Sequence, residues 1–102
     1  AVGVEVERVE ATGPELPLDA VLERLAERGL RSIFCEGGGR LGSALLAADA
    51  VGRMYLFYAP KLYGSAGAPA FIGPLEGARE GWRRARLAEF DEDVLMVLDR
   101  RR

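Results

Sequence analysis

Apolar and polar positions alternate from the first residues, with Val2, Val4 and Val6 set against Gly3, Glu5 and Glu7. That two-residue period predicts a strand with one buried face. Ala1 stands almost inside the pattern, so the chain is expected to be cut from a longer one. Gly13-Pro14 and Pro17 then fix backbone angles and remove amide donors, predicting a loop that leads into a helix. Leu18, Val21, Leu22, Leu25 and Ala26 share one helical face, Asp19 favours the start of the helix, and Arg28-Gly29 supplies a cation and a left-handed finish, so a helix is predicted over about 18–28. Leu30 to Cys35 is a short, nearly continuous apolar run, as in a strand covered on both faces.

After Glu36 and three glycines, Leu41, Ala44, Leu45, Ala47 and Ala48 propose a second helix that leaves through Asp49-Ala50-Val51-Gly52. Met54 to Ala59 is apolar and aromatic and reads as a central strand stopped by Pro60. Strand, helix and strand in that order predict a right-handed parallel crossover. Residues 61–81, rich in glycine and proline with Phe71-Ile72 as the compact apolar pair, predict a long ordered loop of the kind that borders ligands. Arg83 to Phe90 and Val94 to Asp99 flank Asp91-Glu92-Asp93 and predict a terminal antiparallel hairpin. The whole is an α/β pattern with a mixed sheet, parallel inside and antiparallel at its end.

Composition narrows the chemistry. At 102 residues one domain over 1–102 is expected, and with no segment suited to a membrane or a signal peptide the expected location is the cytoplasm. With no histidine the Ser-His-Asp and Cys-His nucleophile pairs are excluded, and with Cys35 alone a zinc site lacks its usual ligands. A net charge of −2 argues against a grip on nucleic acid, despite Arg83, Arg84, Arg86 and the arginines at 100–102. The terminal arginines read as a solvated tail, and Arg83-Arg84 beside Trp82 as edge-strand charge next to an aromatic core residue.

The informative segment is Glu36-Gly37-Gly38-Gly39-Arg40-Leu41-Gly42-Ser43. It follows a predicted strand and opens a predicted helix, where unpaired amides and the helix dipole favour an anion and glycines let the backbone approach phosphate oxygens. Gly37, Gly39 and Gly42 formally match G-x-G-x-x-G, but Leu56, Phe57 and Tyr58 stand where a Rossmann unit wants an acid, and no Lys-Ser or Lys-Thr pair makes a P-loop. Glu36, at a strand's carboxyl end beside this turn, suits hydrogen bonds from ligand hydroxyls or amines, and the Arg40 cation in the first helical turn suits a nearby phosphate. A tight turn with no ligand, a solvated Glu36 and an Arg40 facing water are the plainer alternatives.

Residues 25–41, with the Ser-Ile-Phe-Cys-Glu-Gly-Gly-Gly run of 32–39, followed by Ala59-Pro60-Lys61-Leu62 and Phe71-Ile72-Gly73, resemble the C-terminal reductase domain of RibD-type riboflavin-biosynthesis enzymes. The resemblance implies a dihydrofolate-reductase-like three-layer fold, with helices on the faces of a mainly parallel sheet and a C-terminal hairpin, of which this chain is the C-terminal part. It implies NADPH-dependent reduction of 5-amino-6-(5-phosphoribosylamino)uracil to its ribitylamino form, with hydride delivered to C1 of the ring-opened ribosylamine. Glu36 would contact substrate, and the cofactor segment would run through Gly37, Gly38, Gly39, Arg40, Leu41, Gly42, Ser43 and Ala44. It implies a homodimer as well, for which the apolar strand Met54 to Ala59 offers a surface. The family's fused zinc deaminase has no counterpart here, since neither His-x-Glu nor Cys-x-x-Cys occurs. A dihydrofolate-reductase-like enzyme and a non-catalytic nucleotide-binding or dimerisation fragment are the alternatives.

Overall fold

A computed structural model describes residues 3–101, which divide after Phe34 into two compact units. The first is built on helix α1, Leu18–Glu27. Pro17 occupies its N-cap, and the helix ends at Arg28 and Gly29. Gly29 adopts φ +84° and donates to the Ala26 carbonyl at 2.9 Å, while the Leu30 amide reaches the Leu25 carbonyl at 3.1 Å, the finish the sequence predicts. Leu18, Val21, Leu22 and Leu25 are half-buried, and Ala26 is exposed.

The strand expected at the N-terminus does not form among the described residues; Val2 lies outside them. Val4 and Val6 are 65% and 83% exposed, while the intervening acids are held by α1. Glu7 accepts from Arg24 at 3.0 Å and from Arg28 at 2.5 Å, and Arg28 also pairs with Glu5. The alternation thus sets acids toward arginines rather than valines toward a core. Exposed pairs of this kind stabilise by only about 0–1 kcal/mol each, a weak tether.

The apolar run at 30–35 forms no strand either, which corrects the expected parallel crossover. A strand exists only where a neighbour takes up its amides and carbonyls, and no described strand flanks this one. Leu30, Ile33 and Phe34 accordingly stand 50%, 53% and 71% exposed.

The second unit holds helix α2, Gly39–Ala47, and three strands, β1 Arg53–Tyr58, β2 Trp82–Phe90 and β3 Asp93–Arg100. The order is β1-β3-β2 and both pairings are antiparallel, from Arg53 opposite Asp99 to Tyr58 opposite Val94, and from Trp82 opposite Arg100 to Phe90 opposite Asp93. The predicted hairpin is present, turning through Asp91 at φ 53°, with a bulge between Arg84 and Arg86. The strand read as central, β1, is instead an edge: among the described residues it pairs with β3 and no other strand, and Tyr55, Phe57 and Tyr58 are 44%, 65% and 53% exposed. The middle strand is β3, whose Leu95 and Val97 are buried on one face. Leu46 of α2 and Ala78, in the short 3-10 turn Glu76–Ala78 that packs against α2, complete the buried apolar set.

Arg100 corrects the expected solvated tail; Arg102 lies outside the described residues. The Arg100 side chain is 11% exposed and pairs through Nε with Asp49 at 3.0 Å. Nη1 donates to the Glu80 carbonyl at 2.5 Å and Nη2 to the Gly77 carbonyl at 2.8 Å, while the guanidinium lies 5.0 Å from the Trp82 ring centroid. Trp82 donates to the Ala78 carbonyl at 2.8 Å, and the Arg100 amide to the Gly52 carbonyl at 2.9 Å. One planar fork therefore fastens the exit of α2, the 3-10 turn and the end of the hairpin.

Truncating that fork strands several acceptors. Hydrogen bonds to charged groups contribute about 1.5–3 kcal/mol, so Arg100→Ala is expected to lower unfolding free energy by about 2–3 kcal/mol in denaturant titrations followed by Trp82 fluorescence. Arg100→Lys, lacking the fork, is expected to recover only part of it.

A second charged row crosses the sheet. Asp99 accepts from Arg53 at 2.6 Å and 3.2 Å and from Arg83 at 3.2 Å. The Arg53 hydrogen bonds hold its carboxyl below the usual aspartate range, against partial desolvation. A depressed carboxyl contributes stability that is present above its unfolded value and is lost as pH falls through its folded one. Stability is therefore expected to fall below about pH 4, with Asp99→Asn flattening that acid limb; an unchanged slope in the variant would refute the assignment.

Candidate functional site

Gly38 is the N-cap of α2, with φ −71° and ψ −176°, and no side chain caps the helix. The first intrahelical bond runs from the Gly42 amide to the Gly38 carbonyl at 3.1 Å. The amides of Gly39, Arg40 and Leu41 thus have no acceptor within the helix, as geometry dictates for a first turn. No other backbone bond among the described residues engages them. Three donors at the positive end of the helix dipole make the N-terminus receptive to an anion.

The glycines divide by role. A Cβ on Gly38 meets nothing within 4 Å, so this side is open. On Gly39 it would lie 2.6 Å from the Pro69 oxygen and 3.0 Å from the Ala70 oxygen, so only glycine lets the loop backbone come this close. On Gly37 the obstacle, 2.8 Å away, is the movable Cδ2 of Leu41. Gly42 lies within the helix, half-buried.

Ser43 is turned inward: it is 3% exposed, and its Oγ accepts the Ile72 amide at 2.7 Å. Its hydroxyl holds the loop rather than standing at the open end with Arg40 and Leu41. Glu36, Arg40 and Ala44 are exposed, and Leu41 is 39% exposed. Glu36 and Arg40 make no hydrogen bond or ion pair among the described residues. The structure therefore brings Gly38 to Leu41 together as one donor surface and sets Gly42 and Ser43 behind it.

Sequence reasoning missed the other wall. Residues 63–69 line an open cleft whose last residue, Pro69, rests on Gly39. The glycine- and proline-rich composition marks this loop as a ligand border, but nothing in it names Pro69, Ala70 or Ile72 as the residues meeting α2. Cys35 is free and exposed, and among the described residues no group of three or more His, Cys, Asp or Glu is placed to hold a metal ion.

A small antiparallel sheet joined to a glycine-opened helix is an α/β arrangement, and comparison with known proteins gives it a family. The chain belongs to the RibD C-terminal domain family, whose profile matches residues 3–96. The maize riboflavin biosynthesis protein PYRR, chloroplastic, is 33% identical over 73 residues, which span 72% of this chain and 11% of that protein. The RibD proteins of Bacillus amyloliquefaciens and Actinobacillus pleuropneumoniae are 32% and 34% identical over 72 and 71 residues, 71% and 70% of this chain and 19% of each. The fold is that of part of Acinetobacter baumannii RibD: one form superposes with a TM-score of 0.72 at 24% identity, over 84% of this chain and 25% of that one. The chain thus spans between about a tenth and a quarter of these relatives.

The close approach at Gly39 generates a contrast. Gly39→Ala forces the loop carbonyls away and is expected to destabilise by about 1–3 kcal/mol, whereas Gly38→Ala, which meets open space and loses only the N-cap preference for glycine over alanine, should cost less, about 0.5–1 kcal/mol. Thermal melts of the two variants check this, and equal losses would show that Gly39 is not uniquely constrained.

Proposed function

We propose that this chain supplies the cofactor-phosphate turn of a cytoplasmic, NADPH-dependent reductase of riboflavin biosynthesis, which converts 5-amino-6-(5-phosphoribosylamino)uracil to its ribitylamino form. The carrying observation is the uncapped α2 N-terminus, whose first three amides lack an intrahelical acceptor and whose Gly38 side is open. The residues suit a phosphate group: donors without competing side chains, a glycine at the point of approach, and the exposed Arg40 guanidinium in the same turn. Family membership and the relatives' names support the same reading.

On this reading Gly38, Gly39, Arg40 and Leu41 hold the cofactor's phosphates, and Gly37 keeps the approach free of side chain. Gly42, Ser43 and Ala44 continue the helix behind them, and Ser43 keeps the loop at 69–72 seated. NADPH held at this turn would supply hydride chemistry for the reduction at C1 of the ring-opened ribosylamine. Glu36, two residues before the N-cap, accepts hydrogen bonds from the substrate's sugar hydroxyls and orients it. The activity is that of the whole reductase, with this unit as the C-terminal part of a dihydrofolate-reductase-like fold. Further strands of that fold would cover the apolar run at 30–35 and the outer edge of β1.

Gly38→Asp tests the turn. A carboxylate at the N-cap occupies the amides from within and stabilises the helix while opposing an incoming phosphate. NADPH titration is expected to show saturable binding to the unaltered chain, displaced by pyrophosphate and weakened at least about tenfold (about 1.4 kcal/mol) in the variant. A variant that melts no lower and binds NADPH equally well would overturn the reading.

A further inference from the structure

The loop that closes one side of the α2 N-terminus also carries a cleft that the phosphate reading leaves unused. Residues 63–69 line about 880 Å³ of space, within the roughly 300–1,000 Å³ of small-molecule sites. Tyr63 is the one large side chain of this segment; the rest are glycine, alanine, serine and proline, and none is charged. Its ring is 70% exposed and makes no hydrogen bond among the described residues. The stem of that ring is nonetheless held. The segment turns through the 3-10 stretch Gly64–Ala66, where the Gly67 amide donates to the Gly64 carbonyl at 3.3 Å. A Cβ on Gly67 would lie 2.8 Å from the Tyr63 Cβ, so only glycine lets the returning backbone pass this close. Two residues on, Pro69 sets its carbonyl against Gly39. One short loop thus joins a solvent-facing aromatic ring on a fixed stem to the closed side of the anion turn.

Charge decides what the cleft can take. Without a charged side chain it offers no compensation for desolvating a second phosphate and no carboxylate for a cation, whereas a ring face among small side chains suits an uncharged planar group. The Ser65 hydroxyl and the Ala68 amide make no hydrogen bond among the described residues and can meet the polar edge of such a group. We propose that the cleft is a ring-binding site, in which Tyr63 stacks on the nitrogen heterocycle of a nucleotide whose phosphate sits at the α2 N-terminus. The inference rests on the phosphate reading of that turn and adds the group that recognises the rest of the molecule. The heterocycle can belong to the cofactor or to the pyrimidine substrate, since each joins such a ring to phosphate through a sugar.

Calorimetric titration of the full chain tests ring and phosphate separately. Pyrophosphate occupies the turn without bringing a ring; NADPH and uridine monophosphate bring the two kinds of ring. At least one of these nucleotides is expected to bind about tenfold or more tightly than pyrophosphate, and the one that does identifies the source of the heterocycle. For that ligand Tyr63→Ser and Gly67→Ala should each remove the advantage, and Tyr63→Phe, which keeps the ring, should retain it. Pyrophosphate should bind equally to all three variants, which also shows that each is folded at the turn. The ligand's ring protons should move upfield in nuclear magnetic resonance spectra with the unaltered chain and not with Tyr63→Ser. Nucleotides that bind no better than pyrophosphate, or an advantage that survives Tyr63→Ser, would overturn the ring site and leave the turn standing. An unaltered chain that binds no pyrophosphate would remove the phosphate reading and this inference with it.

Discussion

The second unit depends on one guanidinium. Arg100 stands at the end of the central strand and donates in three directions, to the Asp49 carboxylate and to the Gly77 and Glu80 carbonyls, while its face lies on Trp82. A lysine offers a point charge without a fork and cannot span acceptors spread like this. With few residues fully buried, the unit has little apolar surface to hold its parts in place. A planar, charge-assisted junction fixes α2, the 3-10 turn and the hairpin relative to one another where packing alone would not.

From that junction the chain runs back through the loop at 61–81 to its second anchor, the Ile72 amide on Ser43. Just before that second anchor, at Pro69 and Ala70, the loop meets Gly39 closely enough to exclude any side chain. The N-terminus of α2 therefore has a closed side, where loop carbonyls lie against it, and an open side at Gly38. Glycine serves both sides for different reasons. At Gly39 it allows the backbone contact that shapes the turn, and at Gly38 it leaves the unpaired amides accessible.

Local features were legible. The α1 stripe, the Arg28-Gly29 finish, the glycine-opened α2 and the β2–β3 hairpin all appear where periodicity and turn residues put them, because each is decided by neighbours within a few residues. Strand partnership was not. Val4, Val6, Ile33 and Phe34 carry strand patterns and stand exposed, since a pattern states which face to bury but not what will cover it. Position in the sheet was equally hidden, and the aromatic β1 lies at an edge because, among the described residues, β3 is the one strand that pairs with it.

What the sequence determined alone is the chemistry available at the turn: three glycines before a helix, a carboxylate ahead of them, an arginine just inside, and no histidine or second thiol to suggest other catalysis. Those are properties of residue type and spacing. Only the tertiary structure decided which groups face outward. It drew Ser43 into the interior to hold Ile72, set Pro69 and Ala70 against Gly39, and folded Arg100 out of solvent onto Asp49 and Trp82. These contacts join residues about 15 to 50 positions apart, and whether such groups meet depends on how the intervening chain packs, which no local pattern encodes.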